Sequence, residues 1–240
     1  MIEQNVGGTR HYQRLNLKTS IVLEYKPVKW LTLEVKAAPQ LTATKNHTFK
    51  DQVEYHADPY GSISPISNVE FNSLEETIAT TFNGYYHAML TAAHSFGKHN
   101  LKLLLGTSYE NTEYATLEAY RQDFAYPQYD VINAGADNEF KQNGGTRTQL
   151  ALASFFGRFN YNFDNRYLFE ANLRYDGSSR FAKQNRWGLF PSFSAAWRIS
   201  EESFMDKVRD VVTEAKIRAS YGTLGNQNIG STYPTAQMLT

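Results

Sequence analysis

The sequence predicts an all-β chain: about eight antiparallel strands of an up-and-down transmembrane β-barrel segment, with long extracellular loops at one rim and short periplasmic turns at the other. Three observations carry this. Apolar side chains recur at every second residue over segments longer than the ~5 to 6 residues usual for strands in water-soluble sheets. Short and long connections take turns along the chain, as they do in membrane barrels. Large aromatics gather beside the short turns, where amphipathic rings suit the headgroup layer. No apolar run is long enough for a membrane-spanning helix.

The elements follow in order. Leu15, Leu17, Ile21, Leu23 and Tyr25 alternate with Asn16, Lys18, Ser20 and Glu24; after the short link Lys26 to Lys29, Leu31, Leu33, Val35 and Ala37 oppose Thr32, Glu34 and Lys36. A long polar link covers roughly 43 to 76. Two strands, roughly 78 to 96 and 101 to 112, flank the turn Gly97 to Asn100, and the first has a mixed face because Tyr85 and Met89 share parity with Asn83 and His87. A second long link covers roughly 113 to 147. Ala151, Ala153, Phe155, Gly157, Phe159, Tyr161 and Phe163 then oppose Ser154, Arg158, Asn160 and Asn162. Beyond the turn Asp164 to Arg166, Tyr167, Phe169, Ala171, Leu173 and Tyr175 oppose Glu170, Asn172, Arg174 and Asp176.

The third long link, roughly 176 to 187, opens at Asp176-Gly177, a pair suited to a turn with positive φ. Leu189, Phe193, Ala195, Trp197 and Ile199 oppose Ser192, Ser194 and Arg198. Pro39 and Pro191 cannot donate to a ladder and are placed at strand ends near the loop rim. Between Ser200 and Glu214, Phe204, Val208, Val211 and Val212 share one helical face behind a Ser200 N-cap, which predicts a short helix at the periplasmic rim. Ile217, Ala219 and Tyr221 against Lys216, Arg218 and Ser220 form the last strand. A water-soluble sandwich would share the alternation, but its strands would be shorter.

Charge argues against whole classes of function. With 24 basic and 24 acidic residues the chain has no electrostatic footprint for nucleic acid. Without cysteine it has no disulfide framework, thiolate metal site or thiol nucleophile. His11, His47, His56, His87, His94 and His99 include no i, i+4 pair of the kind a zinc hydrolase carries on a helix. Glu75-Glu76 and Glu201-Glu202 are adjacent, so on a strand their carboxylates diverge and read as solvated charge. The serines of DGSSR lack a nucleophile elbow, and GTLGNQNIG lacks the Lys-Ser/Thr end of a phosphate loop. No enzyme, metal or cofactor is expected.

Two groups of residues remain as candidates for binding. The polar row Lys18, Glu24, Glu34, Lys36, Arg158, Glu170, Arg174, Arg198, Lys216 and Arg218 carries both signs of charge and lines the hydrated side of the wall. Tyr114, Tyr120, Phe124, Tyr126 and Tyr129 fall in the second long link, where flat rings can stack on the C–H faces of sugars.

Several ordered blocks carry a family resemblance: RYDGSSRF (174–181), FPS (190–192), AWRISEE (196–202), KIRASYG (216–222) and GNQNIG (225–230), with TFNGYYHAMLTAAHSFGKHNLKLLLGTSYE (81–110) upstream. Together they resemble the barrel of the SusC/RagA family of TonB-dependent outer-membrane transporters. The resemblance implies a barrel of ~22 strands with a plugged lumen in the outer membrane of a Gram-negative cell. It implies energy from the TonB-ExbB-ExbD system through the plug, a SusD-like surface lipoprotein as cap, and oligosaccharide or peptide as cargo. The polar row would then face plug and cargo. The plug, the TonB box, a signal peptide and the barrel's terminal aromatic strand are not recognisable, so residues 1–240 are expected to be part of the barrel domain and unstable alone in water. The other expectation is a self-contained eight-stranded barrel with an adhesive or structural role.

Overall fold

The computed structural model describes residues 7–52, 70–208 and 210–227. His56 with the rest of 53–69, and Asn228, Ile229 and Gly230 of the last motif, lie outside the described residues. Ten strands form one sheet: β1 (Thr9–Lys18), β2 (Ile21–Val28), β3 (Leu31–Ala37), β4 (Gln40–Lys50), β5 (Ser73–Phe96), β6 (His99–Gln122), β7 (Gln142–Phe163), β8 (Tyr167–Ser178), β9 (Trp187–Arg198) and β10 (Lys216–Gly222).

The number ten reconciles with the eight alternating segments of the sequence. Partner numbers add to 58 along β1 with β4, and to the same 58 for β2 with β3 from Ile21 to Tyr25. Between the two ladders the Thr19 N–H donates to the Pro39 carbonyl at 3.1 Å. The return bond is missing because Pro39 has no N–H to offer. One proline therefore splits each of two long strands into two shorter ones. Pro191 is not at a strand end but the fifth of the twelve residues of β9: it opposes Leu173, and its carbonyl accepts the Thr223 N–H at 3.0 Å. Its nitrogen shares that direction, so the return bond to Thr223 is missing, as at Pro39; the loss falls where β10 ends at Gly222.

The strands fall into two compact units. In the first (1–18, 40–82, 113–149) the order is β1-β4-β5-β6-β7, with only the first part of β5 and β7 and the last part of β6. In the second (19–39, 83–112, 150–240) it is β2-β3-β5-β6-β7-β8-β9-β10. β1 and β2 at one edge and β10 at the other each pair with a single neighbour among the described residues, so the sheet is open. The eight-stranded closed barrel is thereby corrected, and so is the sandwich: there is one sheet.

Within the second unit, register joins the apolar parities into a continuous face. Phe155 opposes Tyr175, Tyr175 opposes Leu189, Ala171 opposes Phe193, and Phe193 opposes Tyr221. Leu23 opposes Val35, which opposes Ala88, and Tyr25 opposes Leu33, which opposes Leu90. The mixed face of β5 is thus resolved: its even residues belong to the apolar row, and Tyr85, His87 and Met89 to the other. The large side chains of this row are uncovered, Phe155 by 55% and Leu173 by 50%. A water-soluble sheet would bury such a row.

Three local expectations are corrected. Gly177 does not make a positive-φ turn; it is inside β8 opposite Trp187, whose indole would meet an added Cβ at 2.6 Å. Left-handed backbone falls instead at Gly97 and at Asp164 and Asn165, in two short turns, and at Gly8 and Asp123 outside them. The second long link is only 123–141, because β6 continues to Gln122 and β7 starts at Gln142. The rim helix is two 3-10 turns, Ile199–Glu201 and Ser203–Val208. Ser200 caps no helix: its N–H bonds the Ala215 carbonyl at 3.1 Å, extending the β9–β10 ladder past Arg198 and Lys216.

Candidate functional site

On the polar side of the second unit, the even residues of β7 to β10 meet across strands. Arg158 Nε donates to Asn172 Oδ1 at 2.6 Å, while Asn160 and Asn172 donate to the two oxygens of Glu170 at 2.6 and 2.9 Å. Arg174 pairs with Asp176 at 2.7 Å, donates to Ser154 Oγ at 2.8 Å and lies over the Phe156 ring at 5.6 Å. Arg218 reaches Ser194 Oγ at 3.4 Å, and Lys216 faces Arg198 across the β9–β10 ladder. Two open cavities of about 380 and 740 Å³ run along this face and share Glu170, Ser194 and Arg218 in their walls. The larger one also touches Arg158, Asn172 and Arg174. Such a surface offers fixed donors and acceptors of both charges to a polar ligand.

The predicted residues on β2 and β3 form a second cluster in the same unit. Glu24 and Glu34 face each other in register, a like-charge pair relieved by Lys26 at 2.7 Å from Glu24 and by His87 Nε2 at 2.8 Å from Glu34. Tyr85 OH contacts His87 Nδ1 at 3.2 Å, and Lys36 lies 5.9 Å from the centre of the Tyr85 ring. The sequence offered Tyr85 and His87 no role, since their strand had a mixed face; the register of β5 against β3 is the signal that places them here. Lys18 stands apart, in the first unit, opposite Gln40.

The five aromatics of the second link separate. Tyr114 and Tyr120 are on β6, and Tyr120 with Glu75, Glu118, Gln142, Asn143 and Gly144 lines a polar cavity of about 290 Å³ in the first unit. Phe124 is buried, 4% exposed, against Phe49, Leu74 and Ile132. Its ring meets Phe49 edge-on at 5.4 Å, and its backbone is clamped by the Asn72 amide, which accepts the N–H at 2.6 Å and donates to the carbonyl at 2.9 Å. A ring packed this way presents no face to a sugar, so Phe124 is removed from the stacking set. Tyr126 and Tyr129 remain open, 64% and 62% exposed, in an edge-to-face pair.

At the rim of the short turns of the second unit, ion pairs run from one hairpin to the next. Lys98 pairs with Asp164 at 2.7 Å, Arg166 lies 3.6 Å from Asp164 and 3.4 Å from Glu202, and Tyr167 OH and Trp197 Nε1 donate to Glu202 at 2.7 and 2.9 Å. The Tyr167 and Trp197 hydrogen bonds hold the Glu202 carboxyl below its ordinary pKa, and the Lys98 hydrogen bond does the same for Asp164. Among the described residues no cluster of three or more His, Asp or Glu is arranged to hold a metal ion.

Comparison with known proteins gives a consistent picture. The profile of the TonB dependent receptor-like, beta-barrel family matches residues 4–238. A TonB-dependent receptor SusC of Bacteroides thetaiotaomicron is 35% identical over 146 residues, 51% of this chain and 14% of its own length. TonB-dependent receptor P39 of Formosa agariphila is 32% identical over 203 residues, 82% of this chain and 19% of its own length. The structure of the RagAB peptide importer in its closed-closed state superposes with a TM-score of 0.76 at 23% identity, over 93% of this chain and 24% of that one. The chain thus spans less than a fifth of the curated relatives named here.

Proposed function

The chain belongs to the TonB dependent receptor-like beta-barrel family, of SusC/RagA type, and from this premise we propose that it builds part of the wall of an outer-membrane nutrient importer. The two-rowed sheet carries the reading: one row of uncovered apolar side chains suits hydrocarbon, and the opposite row, with Arg158, Glu170, Arg174 and Arg218, suits a hydrated lumen. Cargo is an oligosaccharide or a peptide, bound by lumen and loops through hydrogen bonds and ring contacts and passed on without covalent chemistry. The relatives named SusC and RagAB support a SusD-like lipoprotein as the outer partner and energy from TonB-ExbB-ExbD through a plug. The open edges at β1, β2 and β10 support a domain whose remaining strands complete the wall.

Tyr120 and Tyr114 are the aromatic candidates for cargo contact, since Tyr120 shares its cavity with Glu75 and Glu118. The deciding experiment is uptake of labelled glycans and peptides by cells carrying the full-length gene, set beside a deletion strain. Uptake of one cargo class that disappears on deletion supports the reading. Equal uptake of every cargo by both strains would sink it.

A further inference from the structure

The link 123–141 packs on the sheet face that carries the apolar row, which is the side away from the lumen. In the first unit Leu15, Leu17, Leu41 and Ala43 share a face with His47 and Phe49, because all have the same parity in the unbroken β1–β4 ladder. Leu15 and Leu17 are uncovered, whereas Phe49 is buried by Phe124 from the link. His47 lies between Glu76 Oε1 at 2.7 Å and Asp130 Oδ2 at 2.9 Å, so a second point of the link is held to that same face. Arg121, of the same parity on β6 as uncovered Leu117, donates to the Gly135 carbonyl at 3.1 Å and holds the link's return. Phe124, Asp130 and Gly135 therefore tie the link to the wall, while Tyr126, Tyr129 and Val131 between them are exposed.

Resting on the barrel reading above, we propose that Tyr126, Tyr129 and Val131 form a contact with the lipid headgroup layer of the outer leaflet, rather than a cargo contact. Height supports this occupant. His47 is four residues beyond Ala43, the last apolar residue of its row before the charged Lys45, about 13 Å along the strand. A tilt of roughly 40° reduces that to about 10 Å above the hydrocarbon edge, just beyond the roughly 5 to 8 Å of headgroup per side and within a side chain's length of it. Tyrosine suits that depth because its ring accepts apolar surroundings while its hydroxyl stays hydrated. The link that carries these tyrosines is anchored on the same face as Leu15 and Leu17.

The test uses the full-length protein in vesicles of phosphatidylethanolamine and phosphatidylglycerol. Nitroxide labels are attached at single cysteines in the variants Leu15→Cys, Tyr129→Cys and Ser220→Cys; these 240 residues contain no native cysteine. Collision with oxygen and with a water-soluble nickel chelate is then compared. The expected order of chelate access is lowest at 15, several-fold higher at 129, and highest at 220. Chelate access at 129 equal to that at 220, with 15 still shielded, overturns the headgroup contact and leaves the barrel intact. Loss of shielding at 15 itself overturns the barrel reading. As a second arm, Tyr126→Ser with Tyr129→Ser leaves cargo affinity unchanged; a tenfold or greater loss would return these rings to cargo binding.

Discussion

Phe155 and Ser154 are neighbours in sequence and opposites in surroundings. Phe155 stands on the uncovered apolar row, stacked near Trp187 at 6.1 Å, whereas Ser154 is 1% exposed beneath the Arg174 guanidinium. Phe155→Arg should cost the membrane-inserted protein ~2 to 4 kcal/mol, the penalty for a cation at mid-depth on the lipid face. Ser220→Arg, on an exposed position of the polar row, should cost far less, and unfolding titrations of both variants in lipid check this. Equal losses would mean that the faces are assigned the wrong way round. Ser154 is no substitute control, because an arginine there must displace Arg174. Parity of this kind was legible in the sequence, since alternation needs nothing but side-chain polarity. The role of Gly177 was not legible: Asp-Gly is a local turn signal, and the reason for the glycine is the indole of Trp187 across the ladder. Gly177→Ala should therefore destabilise by ~1 to 3 kcal/mol through displacement of that ring, visible as a changed Trp emission and a lower denaturation midpoint. An unchanged midpoint would show that the indole can shift freely.

Elements were read well where lipid imposes one dry face and badly where it does not. The extension of β6 through Glu113–Gln122 escaped because Tyr114 and Tyr120 blur the parity opposite Ala115, Leu117 and Ala119, and the start of β7 at Gln142 because 142–149 is polar or glycine on both parities. The helical period of Phe204, Val208, Val211 and Val212 misled for the complementary reason: Phe204 and Val211 stay exposed, and a short helix with no apolar face to pack is not stable. Its place is taken by turns pinned through Glu202. Folding depresses the pKa of Glu202 and of Asp164, so their contribution is fully present above the ordinary carboxylate pKa. It fades as pH falls through the depressed folded value. Protection of the 199–208 turn from hydrogen exchange, corrected for intrinsic rate, should thus hold from neutral pH down through the ordinary carboxylate range and drop below it. Glu202→Gln should lower the protection at neutral pH and flatten the acid decline; an undiminished acid decline in that variant would assign the dependence to other groups.

At the scale of the molecule, the decisive feature is the pair of edges. Among the described residues β1 and β2 on one side and β10 on the other present unpaired backbone donors and acceptors, and inside hydrocarbon each such group costs several kcal/mol. The apolar row suits lipid while the open edges do not, so the described sheet by itself is expected to satisfy neither solvent. Eight ribbons are enough in principle for a small closed barrel, yet the described order is linear, and the likeness to RagAB takes up 24% of that chain. The isolated chain, refolded into detergent micelles, should therefore not yield the compact monomer that migrates faster on a gel before boiling than after. It should instead associate through its edges, in proportion to concentration, as exposed strands do. Sedimentation of the refolded chain across a concentration series measures this directly. A concentration-independent, heat-modifiable monomer would mean that β1 and β10 find each other, and the wall would then need no further strands.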